Sequence, residues 1–199
     1  MRRAEFDIKD ETELVKFLHE ASFGTLCIND KPYPYAVGVN FIFHDKCIYF
    51  HGAMNGRKYS LACKNPHASF SAVKEYAFIP SYFFSGFACG ASQYFISVFL
   101  EGELRIMEDK TQKAAALELL MKKYQNEGKY EHLHAYDKML DKTAVFQFQI
   151  ASSSLKIKAG QNLSKDSAVL LIEKLKKRDA PKDKETIELI KKFALKNKN

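Results

Sequence analysis

The chain has no tryptophan, no C-x-x-C pair and no G-x-G-x-x-G fingerprint. Without that fingerprint there is no resident Rossmann site, so a nicotinamide nucleotide could dock only transiently. Cys27, Cys47, Cys63 and Cys89 stand apart at no metal-ligand spacing, which argues against a zinc site or a disulfide framework and for reduced core thiols. His132 and His134 lie two apart and on a helix would diverge by about 200°, so no metal site is expected there or elsewhere. The opening MRRAEFDIKDETE is charged and lacks an apolar core, so no secretory leader is expected and the cytoplasm is the expected compartment. Residues 76–100 carry no charge at all and are long enough to span a bilayer. Pro80, Gly86, Gly90, Gln93 and several serines interrupt them, and no basic flank sets an orientation. A spanning helix would leave broken backbone groups unsatisfied, so the expectation is a loop leading into a buried strand, with no membrane partner.

What is present is a globular composition: 199 residues, 46% hydrophobic, with 16 Phe and 10 Tyr. The net charge of +7 comes entirely from the tail, because residues 1–149 balance and residues 150–199 hold 13 basic against 6 acidic side chains. Leu170, Leu171, Leu175, Ile187, Ile190 and Phe193 recur there at helical spacing, so the lysines read as the solvated face of two docked helices. Nucleic acid is not the expected partner. The organisation expected is a domain over 1–160 and a basic helical extension over 161–199.

The first helix is signalled by Asp10 with Glu13 three residues on, then Leu14, Phe17, Leu18 and Ala21 on one face, ending near Phe23-Gly24. The period then changes to two. Phe23–Ile28 is a strand, Asn29-Asp30-Lys31-Pro32 a turn, and 33–44 a strand with Tyr33, Tyr35, Val37, Val39, Phe41 and Phe43 on one face. Strands over 47–51, 67–75, 93–107, 142–150 and 155–158 follow, with helices over 57–64, 109–126, 130–140, 164–178 and 184–196. The class is mainly β with α: an antiparallel, closed or nearly closed barrel with peripheral helices.

The segment Tyr49-Phe-His-Gly-Ala-Met-Asn-Gly-Arg-Lys-Tyr-Ser-Leu61 carries the clearest chemistry. A strand ends in a histidine, a glycine-bearing loop follows, and a helix opens on two cations. The unpaired first amides of a helix attract a phosphate; Gly52 and Gly56 allow close backbone approach, Arg57 offers a bidentate contact and Lys58 a point charge.

The run YPYAVGVNFIFHDKCIYFHGAMNGRKYSLACKNPHASFSAV, with Tyr94-Phe-Ile-Ser-Val-Phe-Leu-Glu-Gly102 later, resembles the FMN-binding split β-barrels of the pyridoxamine 5'-phosphate oxidase-like superfamily. It is most similar to their nitroimidazole-resistance (Nim-like) branch, through Val-x-Val-Asn, Tyr-x-His-Gly-Ala, Gly-Arg-Lys and Asn-Pro in order over residues 1–150. The resemblance implies FMN as cofactor, with Gly56, Arg57 and Lys58 at its phosphate. His51 and the backbone of Tyr49 and Phe50 would lie beside the ribityl chain or ring, Val37, Val39 and Asn40 along the flavin flank, and Ser97 with Gln93 on the adjacent strand. It implies a homodimer with the cofactor at the interface, the aromatic stretch 76–95 covering flavin or partner, and His51 as the catalytic residue. The chain departs from the vitamin oxidases themselves, having no Trp segment and no arginine-rich C-terminus. The function implied is an oxidoreductase taking electrons from NAD(P)H to a small, nitro-aromatic acceptor. Two alternatives stand beside it: a non-catalytic FMN-binding or regulatory protein, and a haem-binding split barrel with His51 or another histidine as axial ligand.

Overall fold

The computed structural model describes residues 3–195. In chain order the regular elements are β1 (Asp7–Ile8), α1 (Glu11–Glu20), β2 (Phe23–Ile28), β3 (Tyr35–Asn40), β4 (Ile42–His44), β5 (Cys47–Ala53) and α2 (Gly56–Ala62). There follow β6 (His67–Ile79), β7 (Ser92–Ile106), α3 (Lys110–Tyr124), β8 (Thr143–Lys158), α4 (Lys165–Arg178) and α5 (Asp183–Ile190), continued by a π turn over Lys191–Leu195. The strands form one eight-stranded sheet in the order β3-β2-β6-β7-β8-β5-β4, with β1 paired to β8. The path has two free ends, so the sheet is open and the closed alternative is corrected, while the expected antiparallel, mainly β class with peripheral helices stands. No described helix is long and apolar enough to cross a membrane.

The chain divides into two compact units. One comprises residues 11–72 and 99–153. Its core is built from the inward positions of β2, β5, β6, β7 and β8: Leu26, Ile48, Phe50, Phe70, Leu100, Phe146 and Phe148, all at 2% exposure or less. Phe50 stacks on Phe146 at 4.9 Å, and Phe70 meets Phe41 edge-on at 5.0 Å. Each such side chain contributes about 1.5–3 kcal/mol by leaving water. A Cβ on Gly102 would lie 2.0 Å from the Gln149 carbonyl oxygen, so only glycine lets β7 and β8 pass so closely there.

The single strand expected over 33–44 is broken at Phe41 into β3 and β4. The Phe41 N–H donates to the Tyr124 hydroxyl at 3.0 Å, and its carbonyl accepts from the Lys123 ammonium at 3.1 Å and from Tyr124 at 2.9 Å. Side chains from the end of α3 therefore take the place of a sheet partner. The helix expected over 130–140 is absent: that stretch is a loop closing in a 3₁₀ turn at Lys138–Asp141. Glu118 accepts the Leu133 N–H and Asp137 accepts the His134 N–H, each at 2.8 Å, which diverts backbone donors from helical pairing.

The other unit comprises 3–10, 73–98 and 154–195. The stretch read as a loop begins instead as the last part of β6, then passes through 3₁₀ turns at Ser81–Phe83 and Ala88–Gly90 into β7. Leu171, Leu175, Ile187, Ile190 and Phe193 are buried, so both tail helices dock; Leu170, assigned to the same face, is 44% exposed instead. Ser164 caps α4 by accepting the Ser167 N–H, and Thr186, fully buried, accepts the Ala77 N–H at 2.9 Å. Arg178 donates through Nε to Asp183 at 2.8 Å and through Nη1 to the Phe78 carbonyl at 2.9 Å. The expected end of the last helix at Lys196 lies outside the described residues. All four cysteines are free, but only Cys47 is buried; Cys63 and Cys89 are exposed, so the picture of core thiols holds for one of them.

Candidate functional site

The β5–α2 corner gathers most of the polar residues singled out in the sequence. β5 pairs antiparallel with β8, with His51 opposite Val145 and Gly52 opposite Ala144. That pairing buries Phe50 completely and turns His51 outward to solvent. After Ala53 the chain needs a sharp turn, supplied by Gly56 in the left-handed region at φ +85°, where an added Cβ would meet nothing within 4 Å. Asn55 precedes it in extended backbone and makes no side-chain cap, so the first amides of α2 have no side-chain acceptor from that residue.

Lys58 is held across the top of the Phe50–Phe146 stack, with Nζ 5.5 and 5.2 Å from the two ring centres. The amine donates to the His51 carbonyl at 3.3 Å. Among the described residues no carboxylate pairs with it, and partial burial pulls its pKa below the ordinary lysine value. Gly52 makes room for it: a Cβ there would lie 2.8 Å from Nζ. Partial burial of the ring, and then the Lys58 charge, draw the His51 imidazole below its ordinary pKa, which favours the uncharged form.

Arg57 is arranged differently. Its Nε and Nη2 reach the same oxygen, Oδ2 of Asp30, at 2.8 and 2.7 Å, and the guanidinium lies 4.9 Å over the Tyr35 ring. Asp30 was legible only as turn chemistry; a partner 27 residues away has no periodic or motif signal. The contact nonetheless ties the β2–β3 turn and the start of β3 to α2.

On β3, Val39 is buried and Val37 half-buried on one face, while Asn40 points to the other, exposed, and donates to the Ser22 carbonyl at 3.5 Å. The nearby Lys123 ammonium, also missed in the sequence, donates to the Ala21 and Phe41 carbonyls, and burial brings its pKa down to about 8. Tyr49 receives an amide hydrogen of Gln147 at 3.0 Å, and burial raises its phenol pKa. Gln93 and Ser97 belong to the other unit, on β7. There the Gln93 amide is committed to the Tyr76 and Tyr94 carbonyls at 2.7 and 3.0 Å, and Ser97 is half-buried. Among the described residues no group of three or more His, Cys, Asp or Glu side chains could hold a metal ion.

The donor set at the corner suits a phosphate monoester. It combines a desolvated ammonium without a counter-charge, a guanidinium with an unused edge, and a glycine whose side is open. The family model for pyridoxamine 5'-phosphate oxidase matches residues 10–157. No curated protein sequence matches the chain. Among solved structures, the chain is similar to a candidate 5-nitroimidazole antibiotic resistance protein from Bacteroides thetaiotaomicron, with TM-score 0.64 and 20% identity over 76% of this chain and 86% of that one. It is also similar to the FAD and haem binding protein from Mycobacterium smegmatis, at TM-score 0.67 and 18% identity over 77% and 74%. The flavocytochrome from Azotobacter vinelandii gives TM-score 0.66 and 19% identity over 78% and 70%.

Proposed function

Because the chain belongs to the pyridoxamine 5'-phosphate oxidase family, we propose that it is a homodimeric FMN-binding flavoprotein of split-barrel fold that passes electrons from NAD(P)H to a small, nitro-aromatic acceptor. The observation that carries the cofactor reading is Lys58, an amine partly desolvated over two phenylalanine rings with no carboxylate paired to it among the described residues. Such a cation gains most from an incoming anion. Arg57, Lys58 and the open backbone at Gly56 would hold the phosphate. Val37, Val39, Asn40, Tyr49, the Phe50 backbone and His51 would line the flavin. Bound FMN supplies reversible acceptance and release of electrons; the protein supplies binding, orientation and proton management.

His51 suits the last of these. An uncharged imidazole can donate a hydrogen bond from one nitrogen and accept a proton at the other. The purified protein is expected to show a flavin absorption spectrum, or to acquire one on adding FMN; a Soret band instead would favour the haem reading. His51→Ala should keep FMN and slow acceptor reduction by roughly 10²-fold, the scale of lost acid–base work. His51→Gln, which donates but does not titrate, separates orientation from proton transfer. Stopped-flow measurement of flavin reduction by NAD(P)H and of its reoxidation by a nitro-aromatic resolves the two steps. An alanine variant that keeps both rates reduces His51 to a packing residue, and a flavin that NAD(P)H does not bleach favours the non-catalytic reading.

The dimer reading is supported by the 76–95 stretch. Phe78, Tyr82 and Phe87 are 53%, 70% and 72% exposed in the single chain, a concentration of apolar surface that suits an interface. Sedimentation at micromolar concentration should give twice the chain mass, and a monomer there removes the interface. Free thiols and the lack of a bilayer-spanning helix among the described residues fit a reducing, cytoplasmic setting.

A further inference from the structure

We infer that Asp30 is a positioning residue for the phosphate site, gripping the Nε side of the Arg57 guanidinium so that its Nη1–Nη2 end is presented to a phosphate monoester. This rests on the reading of the β5–α2 corner as the place where FMN phosphate binds. Three contacts fix the guanidinium. Nε donates to Asp30 Oδ2 at 2.8 Å, Nη2 lies 2.7 Å from the same oxygen as an ion pair, and the plane lies 4.9 Å over the Tyr35 ring. Asp30 is itself held, since its Oδ1 accepts the Lys31 N–H at 2.8 Å. The carboxylate stays charged well into the acid range, because the Arg57 bond and then the Lys31 amide hold its pKa below the ordinary value.

A guanidinium has five N–H groups in a fixed fork. The Nε hydrogen of Arg57 is spent on Asp30 Oδ2, and Nη2 faces the same oxygen. At the end of the fork one hydrogen on Nη1 and one on Nη2 lie side by side, and among the described residues no other hydrogen bond uses them. That end is the one that meets two phosphate oxygens side by side. A surface arginine would otherwise have to give up rotamer freedom on binding; here Asp30 and Tyr35 have already taken it. Asp30 also cancels the Arg57 charge, leaving Lys58 as the net positive charge of the pair. Geometry thus comes from Arg57 and unbalanced charge from Lys58.

The two contributions of Asp30 separate by substitution. Asp30→Ala removes the grip and should weaken FMN by about tenfold, one ordered charge-assisted contact, while riboflavin affinity stays unchanged. Asp30→Asn keeps an acceptor oxygen at the same place and removes a negative charge, so it should bind FMN within about threefold of wild type or more tightly. Tyr35→Leu, which removes the stacking plate alone, should shift FMN in the same direction as Asp30→Ala by less. Titration of intrinsic flavin fluorescence reads all three, with far-UV melts to establish that each variant is folded. Asp30→Ala binding FMN as tightly as wild type, or Asp30→Asn failing as badly as Asp30→Ala, overturns the positioning role. Wild-type protein that holds riboflavin as tightly as FMN is a different failure: it removes the phosphate site, and with it the task assigned to Asp30.

Discussion

Replacing Arg57 and Lys58 together by alanine is expected to weaken FMN by about 10²–10³-fold while leaving riboflavin affinity nearly unchanged. Hydrogen bonds to charged groups each contribute about 1.5–3 kcal/mol, and about 1.4 kcal/mol is tenfold in affinity. The single variants should differ in kind. Lys58→Ala removes an amine that pairs with no carboxylate among the described residues and already carries the cost of partial burial. Arg57→Ala removes a group whose charge Asp30 already compensates. Lys58→Ala should therefore lose more affinity and lose most of the salt dependence, because an unbalanced charge is what ionic strength screens. Isothermal titration of FMN and riboflavin at two salt concentrations tests both points. Equal losses for the two ligands would sink the phosphate assignment.

Asp183→Ala should cost the protein about 3 kcal/mol, the lower end of what breaking one partner out of a buried ion pair costs. The Asp183 side chain is 2% exposed. Besides Arg178 it accepts the Ala180 N–H at 2.9 Å, so it joins the end of α4 to the start of α5. Without it, Arg178 keeps its bond to the Phe78 carbonyl and its place over the Phe83 ring but loses its counter-charge. At roughly 2–4 °C per kcal/mol for a chain of this size, the melting temperature should fall by about 6–12 °C. The effect has a definite pH dependence. The Arg178 bond, chiefly, lowers the Asp183 pKa in the folded protein, so its contribution is complete above the unfolded value of about 3.9 and fades as pH falls toward the folded value. Wild type and variant should differ fully at pH 6 and converge in acid. Constant separation from pH 6 to pH 3 would mean that the pair contributes by packing rather than by charge.

Local features were legible in the sequence and distant ones were not. β2 runs over Phe23–Ile28 as its residues require, Ser164 caps α4, and the strand–loop–helix around His51 and Arg57 stands where its glycines and cations placed it. The strand break at Phe41 was hidden because its cause, Lys123 and Tyr124, lies about 80 residues on. β6 runs on to Ile79 for a similar reason: Thr186 and Arg178 of the tail satisfy backbone groups of Ala77 and Phe78. The loop over 130–137 contains ordinary helix formers, and the carboxylates of Glu118 and Asp137 take backbone donors that a helix would use. At the candidate site the cations and the histidine were visible in the chain. Asp30 and Tyr35, which decide how Arg57 is held, were not, since their pairing is a product of the fold.

The shortest strand sets a timetable. β1 has two residues, and its register is Asp7 opposite Lys156 and Ile8 opposite Leu155. At about 5–20 residues per second of ribosomal synthesis, the partner is made roughly 7–30 s after β1. The unit formed by residues 11–72 and 99–153 has all its chain by Ser153, one residue before the last segment of the other unit begins. The N-terminal strand thus waits for nearly the whole of the other unit's chain, because Leu155 and Lys156 follow Ser153 by only two and three residues.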